Sequence, residues 1–155
     1  MSTHGFSSHN HDTCVASGMD AAIAYCEAKG LRFTPVRRRV LEILLNEHKA
    51  MGAYDILKML ATEGLGSQPP VAYRALDFLT KHGFVHKVER LNAYVACGHP
   101  GTDHAPAFMI CTKCDKVVES QARAGVGLSS EADTIGFEIQ AMVVEAEGIC
   151  PNCRT

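Results

Sequence analysis

Apolar residues recur at helical spacing through the first half of the chain. The clearest stripe follows Thr34-Pro35, a hydroxyl N-cap and a proline suited to the first helical position, and it comprises Val36, Val40, Leu41, Leu44 and Leu45. Similar stripes predict helices over 20–29, 53–63 and 69–82, each of which ends before a glycine. The sequence therefore predicts four closely spaced helices between residues 20 and 82.

After residue 83 the pattern changes from helical spacing to short strands. Residues 84–90 and 93–97 flank Leu91-Asn92, which is typical of a tight hairpin. Helices followed by a two-stranded hairpin form the order of a winged helix-turn-helix, in which the last helix before the hairpin enters the major groove of DNA. We predict a winged-helix domain over 19–97, preceded by a flexible polar tail over 1–18.

The second half of the chain predicts a smaller unit of mixed structure. Residues 98–106 are polar and rich in turn-forming residues, and they are interpreted as a linker. Strands are predicted over 107–110, 116–119 and 137–146, and a helix over 127–135. The fold class is therefore α+β, with a C-terminal α/β domain over 107–155. A unit of this size needs support from metal ions and a partner subunit, so we expect it to be a dimerisation domain.

The formal net charge of −2 hides an asymmetry between the halves. Residues 1–90 carry a net charge of +2, from 11 Lys and Arg against 9 Asp and Glu, and the remaining residues carry −4. Only the first half suits a phosphate backbone. No apolar run approaches the ~20 residues of a membrane span. The polar first residues also lack the apolar segment of a signal peptide, so we expect a cytoplasmic protein.

Four of the seven cysteines form two Cys-x-x-Cys pairs, Cys111 with Cys114 and Cys150 with Cys153. In a reducing compartment such pairs indicate metal ligands rather than a disulfide framework. Four thiolates complete a tetrahedral zinc site and leave no open position for a substrate. A redox pair is the alternative for each, but a redox pair normally acts alone. We therefore predict a structural zinc ion bound by all four cysteines.

Eight segments between residues 31 and 150 form a specific set that represents about residues 20–153. In the first half they are LRFTP at 31–35, AYDIL at 53–57, AYRALDFL at 72–79, GFVHKVE at 83–89 and YVAC at 94–97. In the second half they are HAPAFMICTKC at 104–114, VVE at 117–119 and VEAEGIC at 144–150. The set resembles the zinc uptake regulators of the ferric uptake regulator family. The resemblance implies a dimeric, zinc-dependent repressor that binds DNA through its winged-helix domain.

The resemblance also implies a regulatory zinc site made of His86, Cys97, His104 and Glu119. Two neutral imidazoles, a thiolate and a carboxylate suit Zn²⁺ and balance its charge. An ion held by all four would fix the angle between the domains, because the ligands come from the wing, the linker and the second domain. His99 is the alternative to His104, since both lie in one loop. The thiolate and the single histidine in 101–106 favour zinc over iron.

The family reads DNA with the fourth helix, which implies base or backbone contacts by Tyr73 and Arg74. Tyr54 of the third helix is implied as a further contact. Arg37 is a candidate for the phosphate backbone. A solvated helix face is the alternative for each basic residue. Val71 departs from the family, which usually has Ser or Thr there, so the sequence leaves the operator open.

Together these features predict a homodimeric, zinc-responsive repressor of zinc-uptake genes that binds a pseudo-palindromic operator. We expect two Zn²⁺ per subunit, one structural and one regulatory. Three alternatives stay open: an iron or peroxide sensor of the same family, a zinc storage or chaperone protein that uses the His- and Cys-containing tail, and a zinc hydrolase. A hydrolase needs an open position for water, whereas the second site has four protein ligands. We therefore predict no enzyme activity, no small organic substrate and no membrane partner.

Overall fold

The structure is a computed structural model, and it describes residues 11–47, 49–98, 100, 105–120 and 123–154. The helices are α1 (His11–Lys29), α2 (Pro35–Asn46), α3 (Ala53–Thr62), α4 (Pro69–Lys81) and α5 (Val126–Ile135). The strands are β1 (Val85–Val88), β2 (Ala93–Ala96), β3 (Ala107–Cys111), β4 (Val117–Glu119) and β5 (Val144–Gly148). Short 3-10 turns occupy Glu89–Leu91 and Pro151–Cys153.

Helices α2, α3 and α4 and the β1–β2 hairpin form the predicted winged helix-turn-helix. The hydroxyl of Thr34 accepts the backbone N–H of Arg37 at 3.3 Å and caps α2. The apolar stripes of the helices meet in one core, whose fully buried members are Val40, Leu41, Leu44, Ile56, Leu60, Leu76 and Leu79. Strands β1 and β2 pair antiparallel, and Asn92 turns the hairpin with a left-handed φ of 46°. The three predicted helices and the hairpin are confirmed, but the connection runs over 89–92 rather than 91–92, because Glu89–Leu91 form a 3-10 turn.

Helix α1 begins at His11 rather than at residue 20. The predicted tail over 1–18 is therefore wrong from residue 11 onward, and residues 1–10 lie outside the described residues. Tertiary packing explains the difference: a Cβ added at Gly18 would lie 2.8 Å from the Leu45 side chain, and Met19 packs against the core. A glycine at a close helix–helix approach carries no apolar signal in the sequence.

The second unit is a three-stranded sheet in the order β4-β3-β5. Helix α5 lies between β4 and β5 along the chain. Strand β3 pairs antiparallel with β4 and parallel with β5. The strand predicted over 137–146 is wrong in its position, since the pairing runs over 144–148. The central strand β3 has five residues, so it can pair with only five residues of β5. Phe137, at the start of the alternating segment, is left 63% exposed.

A second, smaller apolar cluster joins the two units. Val88 of the wing packs with Phe108 and Ile110 of β3, and partly buried residues from both units surround them. Lys49, after α2, also forms an isolated antiparallel bridge with Lys116, next to β4. These contacts place the wing directly against the β4-β3-β5 sheet.

Candidate metal centres

The four paired cysteines meet at one end of the β4-β3-β5 sheet. Cys111 ends β3, Cys114 lies in the following turn, and Cys150 and Cys153 follow β5. Their sulfur atoms all lie within 4.8 Å of one another. The parallel register brings them together, because it places Cys111 opposite Gly148, two residues before Cys150.

The geometry of this cluster fits a tetrahedral zinc ion. The sulfur atoms of Cys114 and Cys150 are 3.8 Å apart. A tetrahedron with zinc–sulfur bonds of ~2.3 Å has edges of about 3.8 Å. A disulfide needs sulfur atoms about 2.05 Å apart, so this pair is not one. The residues present therefore fit the structural zinc that the sequence predicts.

Electrostatics in the cluster oppose the ionisation of all four thiols together. The backbone N–H of Cys150 donates to the sulfur of Cys111 at 3.4 Å and lowers the pKa of Cys111 to about 6. Hydrogen bonding to the neighbouring thiols, Cys150 first, raises the pKa of Cys153 to about 12. The Cys111 thiol therefore ionises readily, whereas the Cys153 thiol keeps its proton. A divalent cation binds the thiolate form, which is why zinc binding releases protons from such sites.

A second cluster brings together His86, Cys97 and Glu119, whose ligand atoms also lie within 4.8 Å of one another. His86 stands on β1, Cys97 follows β2, and Glu119 ends β4. The His86 Nε2 atom is 3.5 Å from Oε1 of Glu119, and the Cys97 sulfur is 3.9 Å from the same oxygen. Three of the four residues implied as regulatory ligands therefore converge between the two units. The fourth, His104, and its alternative His99 lie outside the described residues.

The environment of this cluster suits a mixed-ligand metal site. The side chains of His86 and Glu119 are only 12% and 7% exposed, and Cys97 is buried. The backbone N–H of Gly98 donates to the second oxygen of Glu119 at 2.7 Å, and so orients the first oxygen towards His86. A carboxylate this buried is stabilised by a cation and by hydrogen bonds. The Gly98 contact was missed from the sequence, because a backbone donor leaves no residue-type signal.

A cavity of about 650 Å³ lies beside the second cluster. Its wall includes Cys97 and Glu119, and its other side is formed by residues 13–21 of α1. Cys14 lines the same cavity. The early start of α1 therefore shapes the solvent space next to the candidate regulatory ligands. No sequence signal predicts this role for residues 13–18, which the residue pattern assigns to a tail.

The residues implied as DNA contacts divide into two groups. Tyr54 is 64% exposed on α3, and Tyr73 and Arg74 are exposed on α4. Arg37 is instead half-buried, and its guanidinium makes contacts within the protein. Its guanidinium lies 3.7 Å from the centre of the Phe78 ring and donates to the carbonyl oxygen of Arg32. Arg37 therefore ties α2 to α4, and its contact with phosphate stays a prediction.

The chain matches known proteins over most of its length. Residues 28–146 match the ferric uptake regulator family. Over 131 residues the chain is 40% identical to the zinc uptake regulation protein of Escherichia coli (strain K12), a match that covers 83% of this chain and 76% of that protein. Within the described residues, every helix is too short or too polar to cross a lipid bilayer.

Solved structures match the fold as well. A zinc uptake regulator in complex with zinc and DNA is 37% identical, with a TM-score of 0.83 over 90% of this chain and 94% of that one. Holo XcZur is 38% identical, with a TM-score of 0.78 over 93% and 98%. Apo XcZur, at 40% identity over 92% and 99%, gives a TM-score of only 0.53. Pattern, sequence and fold agree, and this chain belongs to the ferric uptake regulator family.

Proposed function

We propose that this chain is a zinc-responsive DNA-binding repressor of zinc-uptake genes. The observation that carries the proposal is the convergence of His86 and Cys97, from the wing, with Glu119, from the second unit. An ion bound there contacts both units and so favours one arrangement of the DNA-binding helices over others. A ligand shifts a conformational equilibrium only by such a difference in affinity.

The two clusters support a content of two Zn²⁺ per subunit. Cys111, Cys114, Cys150 and Cys153 would hold the first ion permanently, because four thiolates close the coordination shell. His86, Cys97 and Glu119, with His104 as the fourth ligand, would hold the second and exchange it as cellular zinc varies. Zinc supplies a fixed tetrahedral centre there, and the protein residues supply the difference between the closed and open arrangements.

With α1 included from His11, the DNA-binding half extends to residue 97 and the dimerisation half over 107–155, with 98–106 as the linker. Tyr54, Tyr73 and Arg74 are exposed on α3 and α4, where a winged helix faces the major groove. An arginine there can donate two hydrogen bonds to guanine. A twofold dimer places its recognition helices about 34 Å apart, which matches a pseudo-palindromic operator.

The exposed apolar surface favours a homodimer through the second unit. Of the nine large hydrophobic side chains that the structure describes as exposed, two are the tyrosines of α3 and α4. The other seven are Met109, Val126, Leu128, Ile135, Phe137, Val143 and Ile149. Apolar residues concentrated in one small unit are typical of a subunit interface.

The remaining alternatives differ in what their sites require. A hydrolase needs an open coordination position and a base, whereas the two proposed sites are filled by protein ligands, so we propose no enzyme activity. The thiolate of Cys97 favours zinc over iron. A storage protein would not need ligands shared between two units. A repressor acts on chromosomal DNA, so we propose that the chain is cytoplasmic.

Fluorescence anisotropy with a labelled operator in buffered zinc tests the proposal. DNA binding should rise with free zinc, and equal concentrations of Fe²⁺ or Mn²⁺ should support it less well. Binding that persists with zinc buffered far below the affinity of the site would contradict a zinc-responsive switch. Stronger activation by Fe²⁺ would identify an iron sensor of the same family instead.

A further inference from the structure

The tip of the wing contacts the second unit at a place separate from the metal ligands. Glu145 of β5 accepts the backbone N–H groups of Glu89 at 2.5 Å and of Arg90 at 2.9 Å. The Arg90 guanidinium donates to Glu147 at 2.8 Å. We name this contact the wing latch, which comprises Arg90, Glu145 and Glu147.

The sequence of β5 explains how one strand supplies both acceptors. Residues 145 and 147 are two positions apart, so their side chains leave the same face of the strand. The 3-10 turn Glu89–Leu91 presents its first N–H groups without a partner in the turn, and the Glu145 carboxylate satisfies two of them. The bond to Glu147 also raises the pKa of Arg90, so the arginine stays charged.

The latch and the metal ligands hold the wing at opposite ends. His86 and Cys97 lie at the open end of the β1–β2 hairpin, whereas Glu89 and Arg90 lie at its turn. The apolar contacts of Val88 already hold the wing against the sheet, and the latch adds directional hydrogen bonds at the turn that restrict its rotation. The latch uses no residue from either cysteine or histidine cluster.

We propose that Arg90, Glu145 and Glu147 are positioning residues that hold the wing in the metal-bound arrangement and thereby set the zinc concentration at which the protein binds DNA. This inference rests on the proposed function. It is supported by the closer fit of this structure, in which the latch is formed, to the holo than to the apo form of the same relative. Closing the latch and filling the metal site favour the same arrangement, so each should strengthen the other.

The three residues should differ in importance. Arg90 and Glu147 are 63% and 45% exposed, and an exposed ion pair contributes little. Glu145 accepts two backbone donors with one carboxylate, which is a stronger and more directional contact. We therefore expect Glu145→Ala to raise the zinc concentration for half-maximal DNA binding about tenfold, within the range typical of coupled sites. Glu147→Gln should raise it by about twofold at most.

The test uses the whole chain, purified with zinc bound, and three variants of it. Glu145→Ala removes both backbone contacts, and Glu145→Gln keeps the shape of the side chain but only one acceptor oxygen. Glu138→Gln is the matched control on an exposed glutamate outside β5. Zinc content, thermal melting and the zinc midpoint of operator binding are measured for each. The expected order of midpoints is wild type and Glu138→Gln lowest, Glu145→Gln intermediate and Glu145→Ala highest. DNA affinity at saturating zinc should stay close to that of the wild type.

A second measurement needs neither DNA nor zinc at the regulatory site. Small-angle X-ray scattering at low free zinc should show a larger radius of gyration for Glu145→Ala than for wild type, while the melting temperatures stay close. Equal radii of gyration and equal zinc midpoints for Glu145→Ala and wild type would overturn the proposed role of the wing latch. If the wild type binds DNA without regard to zinc, the proposed function fails. The scattering result then still shows whether Glu145 holds the wing.

Discussion

The Nε2 atom of His86 lies 3.5 Å from Oε1 of Glu119, although the two residues belong to different units and stand 33 positions apart. The two residues stand on strands of different sheets, so no strand pairing brings them together. The contact exists because Val88, Phe108 and Ile110 pack the wing against the second sheet. The ligands can therefore share an ion only when the two units are packed together. Binding of the ion in turn favours that packing.

The first prediction concerns the Cys97 thiolate. Cys97→Ala should lower the zinc content from two ions per subunit to one and weaken operator binding at least tenfold, because only the four-cysteine site would remain. Atomic absorption and anisotropy measure the two effects. Cys26→Ala is the control, since Cys26 is 2% exposed in a different part of the protein. Two ions per subunit in Cys97→Ala would remove Cys97 from the site.

The second prediction concerns the structural site. Cys153→Ser should release its zinc and unfold the second unit, because structural zinc sites contribute roughly 10 kcal/mol or more of apparent binding free energy. Thermal melting followed by circular dichroism should show a melting temperature lower by roughly ten degrees or more. Cys14→Ser, outside the cluster, serves as the control. A variant that melts with the wild type and keeps its zinc would contradict a structural role.

The third prediction separates base contact from phosphate contact on α4. Arg74→Lys keeps the charge but loses the paired donors, so it should cost about 1–3 kcal/mol on the specific operator and little on unrelated DNA. Arg74→Ala should weaken both. Lys81→Ala, in the last turn of the same helix, is the control. Equal losses on both DNAs for Arg74→Lys would indicate a phosphate contact.

The fourth prediction concerns pH. Burial, then the charges of Lys81 and Arg37, lowers the pKa of His82, whose ring lies 4.6 Å from that of Phe78. The unfolded state then binds a proton more readily than the folded state. Stability is therefore full above the ordinary histidine pKa of about 6.5 and falls as the pH drops below it. Urea unfolding at pH 7.5 and 5.5 should show a smaller loss for His82→Gln than for wild type. An identical loss in both would assign the pH dependence to other groups.

The fifth prediction concerns association. Phe137→Asp places a charge on an apolar side chain that is 63% exposed in the second unit, so it should shift the dimer towards monomer. Analytical ultracentrifugation measures the shift, and circular dichroism checks that the fold is kept. Lys29→Glu, at the end of α1, changes charge without touching this surface. A fully dimeric Phe137→Asp would place the interface elsewhere.

Local patterns predicted the elements that their own residues determine. The stripe from Val36 to Leu45, its Thr34 cap and the hairpin at Asn92 are encoded within a few positions, and the structure contains each of them. The start of α1 and the position of β5 depend on partners far away in sequence, Leu45 for the first and β3 for the second. Pattern analysis of one segment contains no information about such partners.

The two metal clusters were predictable for different reasons. Paired cysteines at close spacing indicate ligands by themselves. His86 and Glu119 carry no such signal, and only the family resemblance grouped them. The pairing of Arg90 with Glu147 spans 57 positions and joins two ordinary surface charges, so no sequence pattern distinguishes it from a solvated pair.

The central place of β3 has a mechanical consequence. The strand begins at Ala107, shortly after the wing, and it is hydrogen-bonded to β4 on one side and to β5 on the other. In the proposed switch, a change in the position of the DNA-binding half reaches the small sheet at β3, the strand that is hydrogen-bonded on both sides, rather than at an edge strand. The small sheet can then serve as the fixed unit, relative to which the four-helix half changes its orientation.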